Sequence, residues 1–488
     1  MKRKAWIIGL AAGALLLSGC GKQWPDEYRL MDEETKALRK YVNTFAWNVM
    51  DTYYLWREEI SPAMDAWQTW EEPVQKVADI RYKDAAGNDI DRWTLLTDDY
   101  DAVKGGISGH MRTFGMDFLL YYSGETKEQI VAVVTFTYAG SPAEKAGLRR
   151  GDVIRTLDGR EITPDNYQQL VTDTLLGGGT VQLGLVDGKA VTLTAADMYE
   201  NPIQTVRVLE RPSGRKVGYL HYTSFTLDSC EELTDVFRDF RNEGIDDLVL
   251  DLRYNGGGYL MTEQVLASML APVSAVEGEK VFFQEVYNAT LSENLKDGPV
   301  RFQTGFVFQN NGSLQVVSTA GLNPDLPRLY VLVTRASASA SESLIGGLRP
   351  YMDVVVIGEQ TYGKYCAGYL IGAPAWYESV RKSVGEKEYA NALPYVDNWG
   401  IYVMYARYAD CNGVTLSMPD GIAPDIESED RPQDGVDLGD PAETMLAAAL
   451  ARMERRPLPA GTRSAPASAL TPVPDAPRRP GFGLLVAP

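Results

Sequence analysis

A multidomain α/β architecture is expected for this chain, because its hydrophobic rhythm changes three times along 488 residues. Residues 24–100 carry apolar and aromatic positions near helical spacing. Residues 108–200 read as short strands separated by tight turns. From about residue 206, wholly apolar strands alternate with helices, the pattern of a sheet covered on both faces. At about 150 residues per domain the length fits roughly three units. The expected divisions are a leader at 1–19, a helical N-terminal region at 20–105, a β-rich domain at 106–205, an α/β core at 206–450 and a disordered proline-rich tail at 451–488.

The leader begins with the cations Lys2-Arg3-Lys4 and continues through an apolar stretch from Ala5 to Leu16, too short for a stable membrane span. It ends in Leu17-Ser18-Gly19-Cys20, which resembles a bacterial lipoprotein signal. That resemblance implies that Cys20 becomes the lipidated first residue. The mature chain would then be a soluble body tethered to the cell envelope, on the periplasmic face of the outer membrane or the cell surface. Losing Lys2, Arg3 and Lys4 takes the formal charge from −19 to −22. So acidic a chain is a poor partner for nucleic acid or anionic lipid. Cys230, Cys366 and Cys411 remain, an odd number that leaves at least one thiol unpaired; Cys366 with Cys411 is the candidate pair. With no CxxC and no Cys/His cluster, a zinc site is not expected.

In the N-terminal region Leu38, Tyr41, Val42, Phe45, Val49, Tyr53 and Leu55 point to a packing subdomain. In the β-rich domain, strands are expected over 114–122, 130–134 and 181–186. Between them Ser141 caps a helix, Pro142 takes its first position, Glu144 completes a capping box and Gly147 ends it. Asp158-Gly159 marks a hairpin, Thr163-Pro164-Asp165 a second helix start, and Asp187-Gly188 a closing turn. The run Gly140 to Ile154, Gly-Ser-Pro-Ala-Glu-Lys-Ala-Gly-Leu-Arg-Arg-Gly-Asp-Val-Ile, resembles a PDZ domain. The resemblance implies that the loop at Phe114, Gly115 and Met116 captures a peptide's terminal carboxylate. The peptide then pairs with the strand after that loop.

In the core, Val217 to Tyr222 is a strand and residues 234–241 are helical. The apolar strand Leu248 to Leu252 ends in Arg253-Tyr254-Asn255-Gly256-Gly257-Gly258, ahead of a helix over 261–270. Residues 273–326 read as an insertion, with Asn310-Asn311-Gly312 as a hairpin. The strand Leu329 to Thr334 leads into Ser337-Ala338-Ser339-Ala340-Ser341-Glu342 before a helix. Val354 to Ile357 then leads into Gly358-Glu359-Gln360-Thr361-Tyr362-Gly363-Lys364. The chain has two histidines, His110 and His221, so a Ser-His-Asp triad is nearly excluded by inventory. A lysine base then becomes the leading partner for a serine. Burial can lower a lysine pKa by about 3–5 units, as that role requires. N–H groups at the start of the helix and at the glycine turn suit an oxyanion.

Residues 248–260, 331–342 and 355–364, with Phe225 and Asp420-Gly421-Ile422-Ala423-Pro424-Asp425, resemble the carboxyl-terminal processing (tail-specific) peptidases, related to the tricorn core. The resemblance implies a crotonase-like α/β serine peptidase core with Ser339 as nucleophile. Lys364, 25 residues on, is its base, and the N–H groups of Ala340 and Gly257 form the oxyanion hole. It implies flexible protein C-termini as substrates and neither metal nor organic cofactor. One departure stands out. Many members carry a glutamine four residues after the lysine, and position 368 here is glycine. Tyr365 and Glu342 are candidates to orient Lys364 in its place. Tricorn-like relatives use a histidine from the region of His110, which reads here as a loop residue. The rival to a peptidase is a catalytically weak or inactive peptide-binding lipoprotein of the same fold. The apolar end, residues 481–488, is a candidate to occupy the PDZ groove in cis.

Overall fold

The computed structural model describes residues 26–124, 126–295, 299–415, 418–458, 470–473 and 476–477. Cys20 and the apolar end at 481–488 lie outside the described residues. Among those described, no helix is long and apolar enough to cross a membrane.

The α/β core is built on a six-stranded sheet in the order Ile203–Glu210, Lys216–Tyr222, Asp247–Asp251, Arg328–Val333, Asp353–Gly358 and Ile426–Glu427. The first pair is antiparallel and the rest are parallel. Alternate side chains of its strands serve two apolar clusters. One contains Leu248, Leu250 and Val331 with residues of the helices Ser229–Glu243, Leu260–Leu270 and Ala340–Leu348. The other contains Val249, Tyr330 and Leu332 with residues of the helix Thr444–Met453. Burial on both faces is why the inner strands Asp247–Asp251 and Arg328–Val333 lack polar alternation.

A second sheet joins distant parts of the chain. The strand Gly400–Ala409 pairs with Cys366–Gly372, with Val281–Tyr287 from the expected insertion, and with Leu95–Thr97 from the N-terminal region. The long helix Glu33–Tyr53, capped by Asp32 on the Thr35 N–H, buries Tyr41, Val42, Phe45 and Val49 against residues of this sheet. The N-terminal region is thus part of the core's wall. The hairpin Gly305–Asn310 to Ser313–Ser318 turns through Asn311 and Gly312, both at positive φ.

The β-rich domain has the expected strands, and Ser141 and Glu144 form a reciprocal cap: Glu144 N–H donates to Ser141 Oγ and Gly140 N–H to Glu144 Oε2. Its second helix spans Tyr167–Thr174, starting later than expected because Thr163 to Asn166 closes a turn first. Cys366 and Cys411 are both free. Cys366 is buried with its sulfur 3.3 Å from Met404 Sδ, whereas Cys411 sits in the turn after the Gly400–Ala409 strand.

Two described pieces of the expected tail carry regular structure. The helix Thr444–Met453 runs into it, and Leu470–Pro472 adds as an antiparallel edge strand to Met116–Ser123 of the β-rich domain. Proline is tolerated there because an edge strand need not donate on its outer side.

Arg150, from the Gly140–Ile154 run, holds the β-rich domain to the core through a buried charge network. Its guanidinium reaches Asp430 at 2.8 Å, the Tyr254 hydroxyl at 2.7 Å and Thr135 O at 3.1 Å. Asp430 is shared with Arg253, which also bonds Asp251 and Glu443.

Candidate active site

Ser339 occupies the N-cap of the Ala340–Leu348 helix at φ 63°, ψ −113°, a conformation that L side chains rarely adopt. The strain is held by Glu342 three residues on. Its carboxylate accepts the Ser339 N–H at 2.9 Å, the Thr361 hydroxyl at 2.5 Å, and the N–H groups of Gly363 and Lys364 at 2.8 Å each. Burial pushes the Glu342 carboxyl above its ordinary value, and these donors pull against that rise.

The Lys364 side chain is wholly buried and its Nζ stands 3.4 Å from Ser339 Oγ. Desolvation draws the amine down from 10.5 to about 8, against opposing pulls from Cys366, Asp91 and Glu342. Trp93, from the N-terminal region, places its ring 5.7 Å from the amine. Glu342 and Tyr365 do not replace the glutamine expected at 368. Glu342 holds the lysine's main chain, and the Tyr365 ring packs over Gly346. The amine instead bonds the Tyr402 hydroxyl at 3.0 Å.

The glycine turn closes over the serine. Gly257 and Gly258 take φ values of 114° and 142°, and a Cβ on Gly257 would meet Ser339 Cβ at 2.8 Å. Phe225 clasps the turn: its N–H donates to Gly257 O, and its carbonyl accepts the Tyr259 N–H. Asn255 ties turn to serine, its carbonyl accepting the Ala338 N–H and the Ser341 hydroxyl. The Gly257 N–H donates to Asn255 Oδ1 at 2.9 Å, so an oxyanion would have to compete for it. Ala340 is buried at the first helical position, where a backbone N–H has no intrahelical partner.

A cleft of about 980 Å³ lies between core and β-rich domain. It is lined by Gly256 to Gly258, Thr361 and Tyr362 on one side and Asp117 to Tyr121 on the other. In the loop before Met116–Ser123, the Phe114 ring enters the domain's core. Gly115 sits at φ 67°, where a Cβ would strike Ser141 Cβ at 2.2 Å, and its N–H donates to Thr113 Oγ1. Met116 opens the strand and is buried. His110 pairs with Asp228 at 2.5 Å and stacks on Tyr199. His221 is buried in the strand Lys216–Tyr222, where desolvation lowers it to about 4.

The serine–lysine pair on an α/β core, with a β-rich partner domain across a cleft, defines the class, and comparison with known proteins agrees. Residues 216–371 match peptidase family S41 and residues 133–174 match the PDZ domain. The chain carries an S41 core and a PDZ domain. It is 27% identical over 343 residues to a chloroplastic C-terminal processing peptidase of Tetradesmus obliquus, covering 67% of this chain and 62% of that one. It is also 27% identical to a carboxyl-terminal-processing protease of Picosynechococcus over 55% of this chain and 58% of that protein. It thus spans less than two thirds of either relative. A crystal structure of a candidate S41 protease from Bacteroides fragilis superposes with a TM-score of 0.61 at 24% identity, covering 89% of this chain and 99% of that one, which speaks to the fold alone.

Glu342→Gln should leave at least one of the donors around position 342 without an acceptor. A lost hydrogen bond to a charged group costs about 1.5–3 kcal/mol, so chemical denaturation should show a loss of about that size or more. An unchanged midpoint and slope would mean the carboxylate does not organise the site.

Proposed function

We propose that this protein is a cell-envelope serine endopeptidase that captures flexible protein C-termini on its PDZ domain and cleaves them at Ser339. The observation that carries the reading is the buried contact of Ser339 Oγ with an amine whose pKa burial has lowered to about 8. Lys364, neutral above that value, takes the Ser339 hydroxyl proton as Oγ attacks the scissile carbonyl carbon. The N–H groups of Ala340 and Gly257 receive the developing oxyanion. The C–N bond breaks as the lysine proton passes to the departing amine, leaving an acyl ester on Ser339. Water, giving its proton to the same lysine, hydrolyses that ester.

Anchoring at the envelope rests on the leader, whose cationic start, short apolar stretch and Leu17-Ser18-Gly19-Cys20 end make Cys20 the lipidated residue. The PDZ domain supports the choice of substrate, since its edge strand can bind an extended peptide main chain.

Purified protein should degrade an unstructured polypeptide, and Ser339→Ala should not. Equal survival of the substrate in both samples would favour the non-catalytic binder. The sign of the pH dependence comes from the lysine. Its folded pKa is depressed, so the reactive neutral form is lost as pH falls through about 8. Then kcat/KM should fall about tenfold per unit below it. Full activity in Lys364→Ala, with loss in His110→Ala, would transfer the base to His110.

A further inference from the structure

We propose that Tyr402 is the positioning residue for Lys364, in the place left open by Gly368. This rests on the reading of Lys364 as base. A Cβ on Gly368 would lie 2.4 Å from Tyr402 Cζ and 2.6 Å from Met404 Cε. The ring therefore occupies the space that a longer side chain at 368 would need. It arrives from the neighbouring strand, where Leu370 pairs with Tyr402 and the register shifts between Ala367 and Gly368. Its hydroxyl lies 3.0 Å from Lys364 Nζ, and its ring centroid 5.1 Å.

A neutral amine has one lone pair and a flexible four-carbon stem. By accepting one amine N–H, the Tyr402 oxygen turns the lone pair toward Ser339 Oγ. Once the amine has taken the serine proton the same bond becomes charge-assisted and stronger. Tyr402 thus favours the protonated state that forms in the transition state.

Tyr402→Phe keeps the ring and removes the acceptor. Expected are a fall in kcat of about tenfold or more with KM and thermal midpoint unchanged. The acid limb of the pH profile should move to lower pH, because the charged amine has lost a partner. An unmoved acid limb overturns the inference, whether kcat is unchanged or falls only with the thermal midpoint. A fully active Lys364→Ala would instead defeat the parent assignment. An inactive Lys364→Ala beside a wild-type-like Tyr402→Phe defeats only the role of Tyr402.

The PDZ groove carries an occupant from this same chain. Leu470, Thr471 and Pro472 pair with Ser123, Tyr122 and Tyr121, and the Val473 N–H donates to Leu120 O at 2.9 Å. The segment runs toward the Phe114–Met116 loop, as a peptide whose end was captured there would have to run. Val473 is buried in the cluster of Phe114, Met116, Leu120 and Val171, while Leu470 packs on the other face with Tyr121 and Val131. Pro472, Val473, Ala476 and Pro477 line the same cleft as the glycine turn.

We infer that Leu470–Val473 is a resident pseudo-ligand that a substrate C-terminus must displace. In full-length protein carrying Ser339→Ala, a fluorescent decapeptide ending in Leu-Val should bind about tenfold or more tightly when Val473→Asp is added. Val473→Ser is the milder variant should the aspartate impair folding. Equal affinity with and without the Val473 change overturns the inference. Failure of the peptide to bind any of these proteins overturns the groove's substrate role and this inference together.

Discussion

The Glu342 carboxylate stands at the junction of the two segments that make the site. The serine turn comes from the end of one parallel strand and the lysine loop from the end of the next. Strand pairing fixes those ends side by side but not the conformation of the turn and loop beyond them. Glu342 does that by accepting donors from Ser339, Thr361, Gly363 and Lys364 together. Thr361 extends the anchorage. Its main chain and hydroxyl bond both backbone groups of Ile422, lacing the Asp420 to Asp425 segment onto the lysine loop. Gly363 completes the close approach, since a Cβ there would lie 1.9 Å from Pro419 O.

The second constraint is ionic. Arg150 and Arg253 face Asp251, Asp430 and Glu443 in a buried cluster of charges. Buried charges are tolerable only where each is paired and its hydrogen-bonding capacity filled. Here the pairing requires the PDZ domain to sit where it does, because Arg150 belongs to that domain and Asp430 to the core. Tyr254, bonded to both, is the third residue before Gly257. The PDZ domain's attachment and the glycine turn over Ser339 therefore share one short stretch of chain.

Much of this was legible in the sequence because it is local. The apolar strands, the Ser141–Glu144 cap, the Asn311-Gly312 turn and the glycine run each declare themselves within a few residues. The Ser339-x-x-Glu342 spacing is also a capping-box signal, and it carried more than the lysine-orienting role considered for Glu342. What was not legible depends on pairing between distant segments. Tyr402 reaches Lys364 only because two antiparallel strands align with an irregular register, and its sole trace in the sequence is the missing side chain at 368. Trp93 reaches the lysine because Leu95–Thr97 joins the second sheet, which no periodicity in a short aromatic-rich segment reveals. The Leu470–Pro472 strand is too short and too proline-rich to read as a strand. It exists because an exposed sheet edge offers its main chain a ladder.

Burial explains both the lowered pKa of Lys364 and the concealment of Ser339. The Lys364 amine is depressed to about 8 because water is kept from it, and the same enclosure leaves Ser339 without exposed surface. The groups that seal the pair are of two kinds. Trp93, Tyr402 and Glu342 are fixed by sheet pairing and by a carboxylate with many donors. Asn255 and Gly257 cover the serine by one turn of chain whose glycines permit other conformations. A substrate that entered by displacing this turn would free the Gly257 N–H from Asn255 and expose Ser339, while the lysine stayed dry beneath Tyr402. Uncovering Ser339 and freeing the Gly257 N–H would then be one movement, at the end of the cleft that the Met116–Ser123 strand also lines.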